Sequence, residues 1–111
     1  MRGMRSYMVR DRLQGFAKTR QGQLLEIISY DVPGHDNRTA VAISHFIFGY
    51  SQRKGANGHT KEYRFPGFIE QDGVVWIGQS VFMLTPERSS QLRRFLESRG
   101  VAFGRIAVRT A

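Results

Sequence analysis

An α+β fold is predicted by three features of the 111-residue sequence. Short runs rich in branched and aromatic residues read as strands. Two stretches follow capping residues and carry apolar side chains at helical spacing. Turn sequences containing Gly or Pro separate the runs.

Residues 1–22 carry Arg2, Arg5, Arg10, Arg12, Lys18 and Arg20 against one acid, Asp11. This segment reads equally as a basic N-terminal arm or as an extra hairpin strand, because Leu13, Phe16 and Ala17 precede a Gln21-Gly22 break. Leu24-Leu25-Glu26-Ile27-Ile28-Ser29-Tyr30 is a mostly buried strand that stops at Asp31-Val32-Pro33-Gly34. Asp36-Asn37 then offers an N-cap, and Ala40, Ile43, Ile47 and Tyr50 recur at helical spacing, so 39–50 is a helix. Gly49 and the polar stretch 51–60 end it.

Residues 61–70 and 74–84 read as the two strands of an antiparallel hairpin around Gln71-Asp72-Gly73, with Gly where a positive φ is needed. Pro66 assigns the first to an edge or a bulge. In the second, Val75, Ile77, Val81 and Met83 share one face, and Trp76, Ser80 and Phe82 the other. Thr85-Pro86-Glu87 combines a capping hydroxyl, a first-turn Pro and a carboxylate at the positive end of the helix dipole. Leu92, Phe95 and Leu96 are the buried stripe of that helix, and Gly100 its stop. Residues 103–110 close the chain as a strand, with Ile106 and Val108 on one face and Phe103, Arg105 and Arg109 on the other.

The order βαββαβ over residues 23–111 is the split βαβ, ferredoxin-like pattern: a four-stranded antiparallel sheet with two helices on one face. Its other face stays open, and Trp76, Phe82, Phe65 and Phe103 are the residues expected there or on its mate. Large apolar patches are uncommon on soluble monomers, so a symmetric homodimer is expected.

Charge narrows the function. Lys and Arg number 17 against 9 Asp and Glu, a net charge of +8, and 14 of the 17 are Arg. Guanidinium forks suit phosphate oxygens, so nucleic acid, DNA or RNA, is the expected partner. The basic groups gather at the N-terminus, in the 53–64 segment (Arg53, Lys54, Lys61, Arg64) and on the last strand (Arg105, Arg109). Arg38 adds a phosphate contact near the first helix start, or a plain solvated Arg. Residues 53–61 read as a mobile basic loop that clamps a backbone or is simply solvated. Tyr63, Phe65 and Phe68 follow it, and basic groups interleaved with aromatics suit single-stranded nucleic acid, with core packing the competing account. The chain has no Cys, which excludes disulfides, Cys-based zinc sites and thiol nucleophiles. No apolar run approaches the roughly 20 residues of a membrane span and no signal peptide pattern opens the chain, so no membrane partner and a cytoplasmic location are expected.

His35, His45 and His59 lack zinc-site spacing. His45 is expected to pack within its helix, and His35 is near enough to Asp31 in sequence to assist proton transfer. Ser80 has no base partner in the sequence and reads as a packing or hydrogen-bonding residue. Asp31 ends a buried strand, where an Asp either carries chemistry or bonds turn amides.

Ile27-Ile28-Ser29-Tyr30-Asp31-Val32-Pro33, followed by Asp36, Arg38 and a helix, resembles the opening of Cas2-type proteins of the CRISPR adaptation machinery. Gln79-Ser80-Val81-Phe82 and Thr85-Pro86-Glu87 before an amphipathic helix resemble that family's later strand and second helix. The resemblance spans residues 24–98. It implies a dimer presenting basic surfaces to duplex DNA, an integrase-type protein partner, and a metal-dependent endonuclease activity that is not uniform in the family. In that case Asp31 would be the catalytic residue and, together with Asp31 of a second subunit at the dimer interface, would hold Mg²⁺ or Mn²⁺. The alternatives are a non-catalytic RNA-binding or ribonucleoprotein module, and a dimeric regulatory or interaction domain joined through a free sheet edge.

Overall fold

The structure, a computed structural model, describes residues 2–32, 34–56 and 58–110, with side chains described from residue 10 onward except at 56. The turn expected at Pro33, Asn57 of the basic loop, and the side chains of Arg2 and Arg5 lie outside the described residues. The order is α1 (Arg2–Lys18), β1 (Leu24–Tyr30), α2 (Asn37–Phe48), β2 (Gly49–Ala56), β3 (His59–Pro66), a 3₁₀ turn (Phe68–Glu70), β4 (Val74–Gly78), β5 (Val81–Leu84), α3 (Pro86–Ser98) and β6 (Phe103–Arg109). The fold is α+β, with three α-helices and two antiparallel sheets among the described residues. The chain forms two compact units, 1–32 with 72–111, and 33–71.

The first unit is built on a four-stranded antiparallel sheet of order β4-β5-β1-β6. β1 is central because both its faces are apolar: Leu25 and Ile28, on opposite faces, are fully buried. On the Leu25 face, Phe16 and Leu13 of α1 pack with Val75, Ile77, Met83 and Val108. The opposite face carries Glu26, Ile28 and Tyr30 of β1 beside Phe82 and Leu84 of β5. α3 packs on β1 and β5 and buries Leu92, Leu96 and Ser89. Thr85 caps α3 by accepting the Arg88 N–H, and Pro86 opens it, as the sequence predicts.

The first unit departs from expectation in three ways. Residues 2–18 form a helix, not an arm or a hairpin strand. Val9 is the one β-branched residue in that segment, and Arg, Met, Leu, Gln, Ala and Lys dominate it, all strong helix formers. Leu13 and Phe16, three apart, supply its core contact. Second, the sheet carries a helix on each face, and Phe82 is completely buried rather than open to a second copy. Third, 74–84 is two strands: Gly78-Gln79-Ser80 folds the run back on itself, with Ser80 at φ 61, so Trp76 faces Phe82 across β4 and β5. Gly73 does adopt φ +87, but it turns the chain into β4, where its carbonyl accepts the Thr85 N–H at 3.0 Å.

The second unit joins α2 to a hairpin of two eight-residue strands. Asp36 caps α2 through Oδ1, which accepts the Thr39 N–H at 3.0 Å, and Oδ2, which accepts the Thr39 hydroxyl at 2.7 Å. These bonds hold the Asp36 carboxyl below its ordinary range. α2 passes into β2 without a loop, through Gly49 at φ +77. There the backbone is crossed closely by Gly67. A Cβ on Gly49 would approach the Gly67 nitrogen to 2.7 Å, and one on Gly67 would run into the Ile47 and Phe48 backbone. Glu70 holds this crossing, accepting the Gly67 N–H at 2.8 Å and pairing with Arg64 at 2.8 Å. Phe46 and Phe68 stack 5.1 Å apart beneath it. Residues 61–66 therefore pair with 49–54 and not with 74–84, and the expected mobile loop 53–61 lies almost wholly in a regular ladder.

Candidate nucleic-acid interface

The β2–β3 ribbon has two unlike faces, and its register shows why. Tyr50 lies opposite Phe65, Gln52 opposite Tyr63, and Lys54 opposite Lys61. Directly opposed residues share a face, and alternate residues along a strand share it too. Among the described residues one face thus carries the rings of Tyr50, Tyr63 and Phe65, the Gln52 amide, two ammonium groups and, at the tip, His59, and no acid. The other carries Ser51 with Arg64, Arg53 with Glu62, and Gly55 with Thr60. There Arg53 lies opposite Glu62 in the register, and Arg64 pairs with Glu70 at 2.8 Å.

The aromatic face is ordered from base to tip. His45 stacks on Tyr50 at 4.4 Å, and Tyr50 on Phe65 at 4.7 Å, with interplanar angles of 23° and 17°. Tyr63 follows, and the Lys54 and Lys61 ammonium groups each lie 5.8 Å from its ring centroid. Tyr63 is 43% exposed and Phe65 40%. Like charges directly opposed across a ladder repel, so Lys54 and Lys61 cost the hairpin stability unless an anion sits between them. The Tyr63 ring face offsets part of that repulsion.

The ribbon brings Lys54 and Lys61 together and sets Arg53 and Arg64 on the reverse face. Arg38 is exposed in the first turn of α2. Arg105 and Arg109 are engaged in the first unit: Arg105 Nε lies 3.6 Å from Glu26 Oε1, and Arg109 donates to the Gly22 carbonyl at 2.8 Å. Glu26, on the α3 side of the sheet, accepts the Ser89 hydroxyl and has Arg93 at 4.0 Å. His45, expected to pack inside its helix, is exposed and extends the ring stack. Tyr50 enters the same stack, a role that helix periodicity hid by assigning it to the core stripe of α2.

Asp31 is exposed just past β1, and its N–H donates to the Ala102 carbonyl at 3.1 Å. Among the described residues no three His, Cys, Asp or Glu side chains lie together as a metal site. One exposed carboxylate does not of itself build a Mg²⁺ or Mn²⁺ site, and the expected site takes a second Asp31 from another subunit. Tyr30, next to it, is buried, and burial pushes its phenol above the ordinary value while a Ser80 hydrogen bond opposes that. Ser80 acts as a hydrogen-bonding residue, its carbonyl also accepting the Tyr30 N–H at 3.0 Å. Among the described residues no helix is long and apolar enough to cross a membrane.

No family model matches the chain, and no curated protein and no solved structure matches it.

Proposed function

We propose that this chain is a nucleic-acid-binding protein that holds its polyanion on the lysine–tyrosine face of the β2–β3 ribbon. The observation that carries the reading is the Lys54–Lys61 pair, two cations opposed across a ladder beside an exposed ring on a face free of acids. A net charge of +8 supplies the long-range attraction that brings a polyanion to it. The reading includes a ferredoxin-like relation for the first unit, in which β1, β4, β5 and β6 are the four strands, the ribbon is an insertion after α2, and α1 is an addition. It also keeps the kinship with Cas2-type proteins, and with it an integrase-type partner, on the strength of Ile27 to Asp31 and Gln79 to Phe82. β6 is an edge strand with Ile106 63% exposed, which favours self-association through that edge as a second element of the reading.

Fluorescence anisotropy with a labelled oligonucleotide tests the interface. Lys54→Gln/Lys61→Gln is expected to weaken binding about tenfold, two charge-assisted contacts being lost. Arg53→Gln, on the reverse face, is expected to stay within about twofold of wild type. Equal losses from both variants, or none from either, count against the ribbon.

A further inference from the structure

We infer that the ribbon takes a single strand, DNA or RNA, with bases stacked on Tyr63 and Phe65 and a phosphate seated between Lys54 and Lys61. The inference rests on the nucleic-acid reading and names the ligand class of the same face. Three observations on that face point to a single strand.

The first is the placement of the rings. Tyr63 and Phe65 are alternate residues of one strand, so their attachment points lie about 6.7 Å apart. Both are about two-fifths exposed. Phe65 is backed by Tyr50 and then His45, stacks of 4.7 and 4.4 Å that hold its ring in place. An exposed ring fixed from behind offers its free side to any base, because every base has a π-face. Bases in a duplex are already stacked on each other and do not offer that surface.

The second is the separation of charge from rings. The two ammonium groups sit at the tip end of the row and the three stacked rings at the base, with Tyr63 between. From the Lys54–Lys61 pair to the Tyr50–Phe65 pair is four residues, about 13 Å. That run takes roughly two or three nucleotides of an extended strand.

The third is the reverse face. A ribbon lying in a duplex major groove turns one face to the base edges and sets its two flanks beside phosphates. Here one flank, β3, carries Glu62 and an Arg64 already paired with Glu70, and a carboxylate near phosphate is repelled. Gln52, directly opposite Tyr63, gives the binding face one neutral donor and acceptor pair for a base edge.

The test uses the full chain and three labelled probes of one mixed sequence: single-stranded DNA, single-stranded RNA and the DNA duplex. Each single strand also carries a 2-aminopurine, whose emission falls when it stacks on a ring. The expected result is tighter binding of at least one single strand than of the duplex, with quenching of 2-aminopurine. The DNA and RNA arms show which sugar the site accepts. Tyr63→Leu is expected to remove the quenching and weaken single-strand binding about tenfold, with the dependence on salt retained. Tyr63→Trp keeps a ring and should retain binding, its added indole emission being quenched by the strand. It reports on stacking even if the Leu variant does not fold, which far-UV circular dichroism reads. Duplex bound as tightly as either strand, or no quenching and no effect of Tyr63→Leu in a folded protein, overturns the single-strand inference and leaves the nucleic-acid reading standing. Failure to bind any of the three probes overturns both.

Discussion

Glu26 is the side chain whose removal tells most about the first unit. It lies 8% exposed on the α3 side of the sheet, where it accepts the Ser89 hydroxyl and faces Arg93 and Arg105. Ser89 is completely buried, so no water replaces the lost acceptor. Glu26→Ala is expected to lower unfolding stability by about 1–3 kcal/mol, the cost of leaving a buried donor without its acceptor. Urea denaturation checks it; an unchanged midpoint would show that the cluster is dispensable. Asp31→Asn, at an exposed position, is expected to shift stability by no more than about 0.5 kcal/mol and to leave oligonucleotide binding equal or slightly tighter, since a negative charge is lost. A folding defect in that variant would assign Asp31 a structural role instead. Asp36 and Glu70 are both held below their ordinary values, Asp36 by Thr39 and Glu70 by Arg64 and the Gly67 N–H. A lowered folded value means that the stabilisation is complete above the unfolded value and is lost as pH falls through the folded one. The second unit should therefore loosen below about pH 4, where carboxylates titrate. In Asp36→Asn, which keeps a capping oxygen, the acid loss should be smaller, read by circular dichroism against pH.

At the scale of elements, the sequence was most legible where chemistry is local. β1, α2, α3 and β6 lie within a few residues of their expected bounds because Asp36 and Thr85 cap helices by side-chain hydrogen bonds written into neighbouring residues. The ribbon was not legible by apolar alternation, since nearly all its described residues are exposed and nothing marks an inner face. The available signal was Asn57-Gly58, a two-residue hairpin turn dipeptide, with Gly58 at φ +78. The low strand propensity of Gln52 to Gly55 opposes that signal, and cross-strand pairing overrides it. The candidate site was legible in its parts, Lys54, Lys61 and Tyr63. Which of the basic residues share a face depends on register, and register follows from that turn. The Gly49–Gly67 crossing fixes the base of the ribbon. Gly67→Ala is expected to cost about 1–3 kcal/mol through forced backbone movement, measured by thermal unfolding. Full stability in that variant would mean that the close crossing relaxes without penalty.

For the whole molecule, charge and an open edge act together. The sheet ends on β6, whose outer edge carries no strand among the described residues. Two antiparallel copies with Ile106 on the two-fold axis would oppose Arg105 to Ala107 and Phe103 to Arg109, with no cations facing each other. The chain is therefore expected to be a dimer at tens of micromolar, an ordinary range for such association. Ile106→Lys, which sets two cations at the axis, should convert it to a monomer. Sedimentation giving the same mass for both proteins would remove β6 from the assembly.

The central claim is that phosphate is held between Lys54 and Lys61. The most direct measurement is the slope of log affinity against log salt for a single-stranded oligonucleotide, in wild type and in Lys54→Gln/Lys61→Gln. Each phosphate neutralised on a single strand contributes about 0.7 to that slope, so losing the one phosphate held between the two lysines should lower its magnitude by about 0.7. Weaker binding with a shallower slope is the predicted result. An identical slope in the two proteins would contradict the account, because it would mean that neither lysine touches the polyanion.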